Sequence, residues 1–103
     1  MYKLEFLPIA KNDIDDIIYY ISNNLKNVSA ALKLSKKIID GANSILEFPY
    51  GFAVYRPISK LSNEYRSIRI NNYLMFYTIN EKDKIITITR VLYCKMDINN
   101  ILK

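Results

Sequence analysis

The chain has 103 residues, half of them hydrophobic and 24% charged, which predicts one folded domain over residues 1–103 rather than a disordered tail. It contains no histidine and one cysteine, Cys94, so a Cys/His zinc site, a Ser/His/Asp triad and an intrachain disulfide are excluded. The net charge of +5 is uneven: residues 1–48 carry six lysines against six acids, while residues 49–103 carry nine cations against four acids and hold all four arginines, Arg56, Arg66, Arg69 and Arg90.

Residues 2–7, YKLEFL, alternate as a half-buried strand does, and Pro8 then suits the first turn of a helix. Ile14, Ile17, Ile18 and Ile21 fall at helical spacing, which predicts a first helix over about residues 9–24. Asp13, Asp15 and Asp16 lie near its N-terminal end, where the helix dipole favours acids. After three asparagines, the apolar spacing of Ala31, Leu34, Ile38, Ala42 and Ile45 predicts a second helix from about Val28 to Glu47, stopped at Phe48-Pro49. Residues 49–64 hold two prolines and a glycine and read as a connection, with an extended piece at Phe52 to Arg56.

Three strands follow: Tyr65 to Ile70, Tyr73 to Ile79 and Ile85 to Tyr93. Asn71-Asn72 supplies the residue type that tolerates a two-residue turn, and Asn80 to Lys84 makes the next turn. The order β, α, α, β, β, β predicts an α+β domain: an N-terminal strand, an αα-hairpin and a three-stranded antiparallel meander, with the helices on one face of a mostly antiparallel sheet. No apolar run follows a basic N-terminal segment and no stretch approaches the length of a spanning helix, so a cytoplasmic location is expected.

Several short motifs, in order, resemble the RelE/ParE superfamily of bacterial type II toxin–antitoxin toxins across essentially the whole chain. They are Pro8-Ile9-Ala10 opening the first helix, Phe48-Pro49 with Gly51 after the second, Arg66 on its strand, Tyr73-Leu74-Met75-Phe76-Tyr77, and Val91-Leu92-Tyr93-Cys94-Lys95-Met96-Asp97 at the close. The resemblance also shows departures. The family's "Y-R-x-x-Y" strand has its arginine at the position of Leu74, the histidine of "V-x-H-x-R-x-D" is Tyr93, and its arginine is Lys95. An RNase of this kind relies on cations at the scissile phosphate and on proton transfer, so the substitutions remove one cation and any histidine acid or base.

Weighed one at a time, each candidate has a functional and a structural reading. Arg66 and Arg69 have opposite parity on one strand, so at most one shares a surface with Arg90 unless a bulge intervenes. Arg90 lies on an apolar row with Ile86, Ile88 and Leu92, and either meets a phosphate or pairs with Glu64 or Asp97. Tyr93 and Lys95 follow the last strand, where the family keeps its active residues. Tyr73 and Tyr77, with Met75 between, read as core before a base-stacking platform. Tyr19 and Tyr20 read as packing or partner-facing, and Cys94, despite its lysine neighbour, as unreactive.

The resemblance implies three functions in turn. The first is a ParE-like toxin that binds an acidic antitoxin and, when free, arrests growth through DNA gyrase without catalysis; Arg66, Arg69, Arg90, Tyr93 and Lys95 would face the target or the antitoxin. The second is a RelE-like, metal-independent mRNA endoribonuclease acting on the ribosome, with Arg66, Arg90, Tyr93 and Lys95 around the RNA. The third is a degenerate toxin kept as antitoxin partner or co-repressor. No cofactor and no metal are expected on any of them.

Overall fold

The computed structural model describes residues 1–55 and 64–102. Strand β1 (Lys3–Phe6) leads at once into helix α1 (Pro8–Tyr19), with proline in the first turn, where its missing N–H costs nothing. A π-helical turn over Tyr20–Asn24 carries α1 on to the end expected near residue 24. Helix α2 (Val28–Glu47) starts where the Asn27 side chain accepts a hydrogen bond from the Ala30 N–H at 3.0 Å. Strands β2 (Arg66–Ile70), β3 (Tyr73–Asn80) and β4 (Ile85–Tyr93) form the meander, and a short helix α3 (Ile98–Leu102) follows.

The sheet order is β1-β4-β3-β2, antiparallel except that β1 joins β4 in parallel, Lys3 beside Ile85. Asn71, with φ 54°, takes the left-handed conformation that closes the β2–β3 turn. Of the extended piece expected in the connection, Val54 bridges to Arg66 on the outer side of β2, while Arg56 lies outside the described residues.

Both long helices bury their apolar stripes on one face of the sheet. Ile45 of α2 meets Met75, Tyr77, Ile86 and Ile88 there, each wholly buried. Helix α2 comes so close that a Cβ on Gly41 would sit 2.9 Å from the Ile70 Cδ1. The opposite, outer face carries a smaller cluster, in which α3 sets Ile98 and Leu102 against Tyr65, Phe76 and Leu92. The expectation of helices on one face therefore holds for α1 and α2, while α3, which the sequence reading did not resolve, takes the other.

One irregularity redirects the end of the sheet. Tyr77 pairs with Ile88 but Phe76 pairs with Arg90, so Thr89 is an extra residue in β4. The bulge switches parity: Ile86, Ile88 and Val91 join the main core, while Leu92 joins the outer cluster. The apolar row read from the sequence through Ile86, Ile88, Arg90 and Leu92 is not one row.

Candidate functional site

Strand β1 ends at Phe6, so β4 beyond Ile88 has lost its neighbour on that side. Its backbone N–H groups need another acceptor. Helix α1 supplies one: the Asp13 carboxylate accepts the Val91 N–H at 3.0 Å. The same carboxylate takes the Arg90 guanidinium in a two-point grip, Nε at 2.8 Å and Nη2 at 2.9 Å. Both side chains are largely buried, Arg90 at 22% and Asp13 at 14% exposure, and Asp13 raises the Arg90 pKa, so Arg90 stays charged. The partner is neither Glu64 nor Asp97, as the sequence suggested. Asp13 also sits in the second turn of α1, whose first turn holds no acid, so its role is to close the sheet edge rather than to meet the helix dipole.

Arg66 is engaged as well. It pairs in register with Tyr77 on the helix-facing side, donates from Nη1 to the Phe52 carbonyl at 2.7 Å, lies 3.8 Å from Glu64 and sits over the Tyr50 ring at 5.0 Å. Arg66 and Arg90 both line one open cleft of about 810 Å3, whose lining also includes the paired Thr78 and Thr87. No histidine or cysteine lines it.

At the margin of this cleft is a cluster the sequence reading missed. The Tyr2 and Tyr50 hydroxyls donate to one oxygen of Glu81 at 2.5 and 2.7 Å, and Lys84 pairs with the other. Lys84 first, then the two hydroxyls, hold the Glu81 carboxyl down to about 2, and the bond to Glu81 is the main reason Tyr50 is pushed up to about 12. The cluster ties β1, the β3–β4 turn and the end of α2 together. Glu81 and Lys84 share one turn, but Tyr2 and Tyr50 are distant from it in sequence, so only the fold assembles the cluster.

Arg69, Tyr93 and Lys95 gather at the other end of the sheet. Arg69 pairs in register with Leu74, and so faces the outer side, opposite to Arg66, as strand parity requires. Its guanidinium donates to the Asn71 carbonyl at 2.9 Å and the Asn72 side chain at 3.4 Å, with the Cys94 Sγ at 3.9 Å. Cys94 donates its N–H to the Asn72 carbonyl at 2.8 Å, which brings Tyr93 and Lys95 alongside the turn. Tyr93 packs edge-on against Tyr73 at 5.9 Å, and burial, with the Tyr93 and Tyr20 hydroxyls nearby, raises the Tyr73 pKa. Tyr73 and Tyr77 do join the main core with Met75; Tyr77, raised by burial, donates to the Pro49 carbonyl at 2.6 Å. Tyr19 and Tyr20 are 65% and 51% exposed and Cys94 is half-buried. The five candidates thus form two groups, Arg66 with Arg90 and Arg69 with Tyr93 and Lys95. Leu74, where the family's arginine would stand, packs with Phe76 and Tyr55 in the outer cluster.

Among the described residues there is no group of three or more His, Cys, Asp or Glu that could hold a metal ion, and no helix long and apolar enough to cross a membrane.

A four-stranded mixed sheet with a helical hairpin on one face is an arrangement found in toxins of type II toxin–antitoxin modules. The chromosomal ParDE toxin–antitoxin system of P. aeruginosa is similar with a TM-score of 0.73 at 20% identity, over 92% of this chain and 98% of that one. The archaeal RelE–RelB complex of Pyrococcus horikoshii OT3 is similar with a TM-score of 0.57 at 14% identity, over 91% and 96%. No curated protein matches the chain in sequence. The model of the ParE toxin of type II toxin–antitoxin (parDE) systems matches residues 4–98, and the chain belongs to that family.

Proposed function

We propose that the protein is the toxin of a type II module that binds an acidic antitoxin and, when free, arrests growth by binding DNA gyrase, without cleaving RNA. The observation that carries this reading is the grip of Asp13 on Arg90. A phosphate-binding arginine must bring uncompensated charge to the substrate, and the Arg90 charge is paired in a two-point grip with a carboxylate that also holds the backbone of β4. Arg66 is likewise occupied, and Leu74 offers no charge. The cleft has no histidine, and among the described residues its other candidates for in-line attack are already partnered: Glu81 with Tyr2, Tyr50 and Lys84, Glu64 with Arg66, and Arg90 with Asp13.

Binding needs none of these. The excess of cations in residues 49–103 attracts acidic partners at long range, and an antitoxin segment that orders on the surface would cover the face the target meets. Membership of the parDE toxin family supports the branch, and the likeness to the ParDE system and the RelE–RelB complex supports an antitoxin partner.

The test is induction in bacteria lacking the antitoxin, with protein synthesis and plasmid supercoiling followed together. Loss of negative supercoiling with trapped gyrase–DNA breaks while translation continues is the expected outcome. Immediate collapse of translation with cleaved messages would overturn it in favour of the ribonuclease, and normal growth would leave a degenerate antitoxin partner.

A further inference from the structure

We propose that the end of the molecule built around the β2–β3 turn is a docking surface for the phosphate backbone of duplex DNA. The inference goes beyond the toxin–antitoxin reading and does not depend on it. Two exposed cations meet on a single asparagine: the Lys37 ammonium donates to the Asn71 side chain at 3.0 Å, and Arg69 donates to the Asn71 carbonyl at 2.9 Å. Lys33 lies one helical turn before Lys37, and Lys95 is fixed beside the same turn by the bond from Cys94 to Asn72.

None of these four cations forms an ion pair with a described residue, whereas Arg66 and Arg90 do. The two acids closest in sequence to the patch are already engaged: Asp40 pairs with Lys36 at 3.3 Å, and Asp97 accepts from Asn100 at 2.6 Å. Asn100 is neutral, so Asp97 keeps its charge, but four cations against that one acid leave the patch net positive; it is also partly pre-organised, because the bonds to Asn71 and Asn72 fix the plane of the Arg69 fork while leaving it exposed.

The chemistry of the patch selects the partner. A polypeptide ligand gains most of its affinity from apolar anchors in desolvated pockets, whereas the open hollow beside the turn, though it reaches Ile68 and Ile70, is also lined by Lys37, Asp40, Arg69 and Asn71. A nucleic-acid backbone needs no such anchor, since counterion release alone sustains binding. Tyr93, 40% exposed and two residues from Lys95, adds a hydroxyl of the kind that suits a phosphate or sugar contact.

The measurement is fluorescence anisotropy of a labelled 20-base-pair duplex of arbitrary sequence, titrated with the free full-length chain between 50 and 200 mM NaCl. Four phosphate contacts predict a slope of about −3.6 in log K against log salt, so binding should weaken about 150-fold over that range. Lys37→Gln/Arg69→Gln/Lys95→Gln should bind at least about tenfold more weakly at 50 mM, with the slope falling to about −1. Lys3→Gln/Lys11→Gln/Lys82→Gln removes the same charge elsewhere and should stay within about threefold of the parent. Because Arg69 also braces the turn, Lys33→Gln/Lys37→Gln/Lys95→Gln repeats the test with that arginine kept, each variant being checked for folding by circular dichroism. Equal losses in patch and control variants would overturn the proposal. So would tighter binding, through the same residues, to single-stranded RNA or to polyglutamate of equal charge.

Discussion

Replacing Asp13 with alanine removes three acceptor contacts together, and the structure permits an estimate of the cost. The Val91 N–H, at the point where β1 no longer flanks β4, is left without its partner, which costs about 1–3 kcal/mol. The Arg90 guanidinium loses both its bonds, but at 22% exposure its tip can reach water, so the loss is nearer about 1–2 kcal/mol than the 3–5 of a fully buried pair. Together these give about 2–5 kcal/mol, and in a chain of this length that lowers the melting temperature by roughly 10–25 °C. Thermal unfolding followed by circular dichroism measures it, with urea midpoints as a second reading. Arg90→Met should cost less, because Asp13 keeps the Val91 N–H and the methionine keeps most of the packing. The double variant should then fall short of the sum of the two, the signature of a direct interaction. If Asp13→Ala moved the melting temperature by less than about 3 °C, or the two changes simply added, Arg90 would not be held by Asp13. The case against a free phosphate-binding arginine would fail with it.

The Glu81 cluster predicts two pH windows. A carboxyl depressed from 4.5 to about 2 contributes stability above pH 4.5 that is lost as pH falls through 2, so urea midpoints between pH 5 and 2 should fall less steeply in Glu81→Gln than in the parent. Tyr50, raised from 10.0 to about 12, contributes below pH 10 and loses that contribution as pH rises through 12; Tyr50→Phe should flatten the curve over that interval, and parallel curves would refute the hydrogen bond. Gly41→Leu places a side chain where even a Cβ would lie 2.9 Å from Ile70, and should destabilise by about 1–3 kcal/mol in denaturant titrations. Leu74→Arg restores the residue that RNases of the superfamily resemblance would have there, yet it should not create message cleavage in a translation extract, since Arg66 and Arg90 remain engaged.

Much of the architecture was legible because its signals are local. The spacing of Leu34, Ile38, Ala42 and Ile45 set α2, the alternation of residues 2–7 set β1, and Tyr73, Met75 and Tyr77 join the core as read. What escaped had no local signal. The five residues of α3 are too few for a periodicity to declare itself. The extra residue at Thr89 cannot be seen without the partner strand, and by switching parity beyond it, the bulge spoiled the reading of Arg90. Asp13 looked like a dipole-favoured acid and gave no sign of reaching the far end of the chain. The opposite facing of Arg66 and Arg69 was readable from parity alone, whereas their separate partners, Phe52 and Asn71, were not.

The parallel pairing of β1 with β4 also bears on when the protein can act. The first strand leaves the ribosome well before its sheet neighbour is made, residue 3 lying beside residue 85. Closing so wide a loop carries an entropic cost that local contacts do not offset, and topologies of this kind fold slowly. A chain stopped before Ile85 would lack the strand on which both β1 and Asp13 converge, and its far-ultraviolet spectrum should show no native sheet. Competence would therefore arrive only once β4 has been made, which gives any partner already present in the cell an opportunity to reach the nascent chain before it can reach a target.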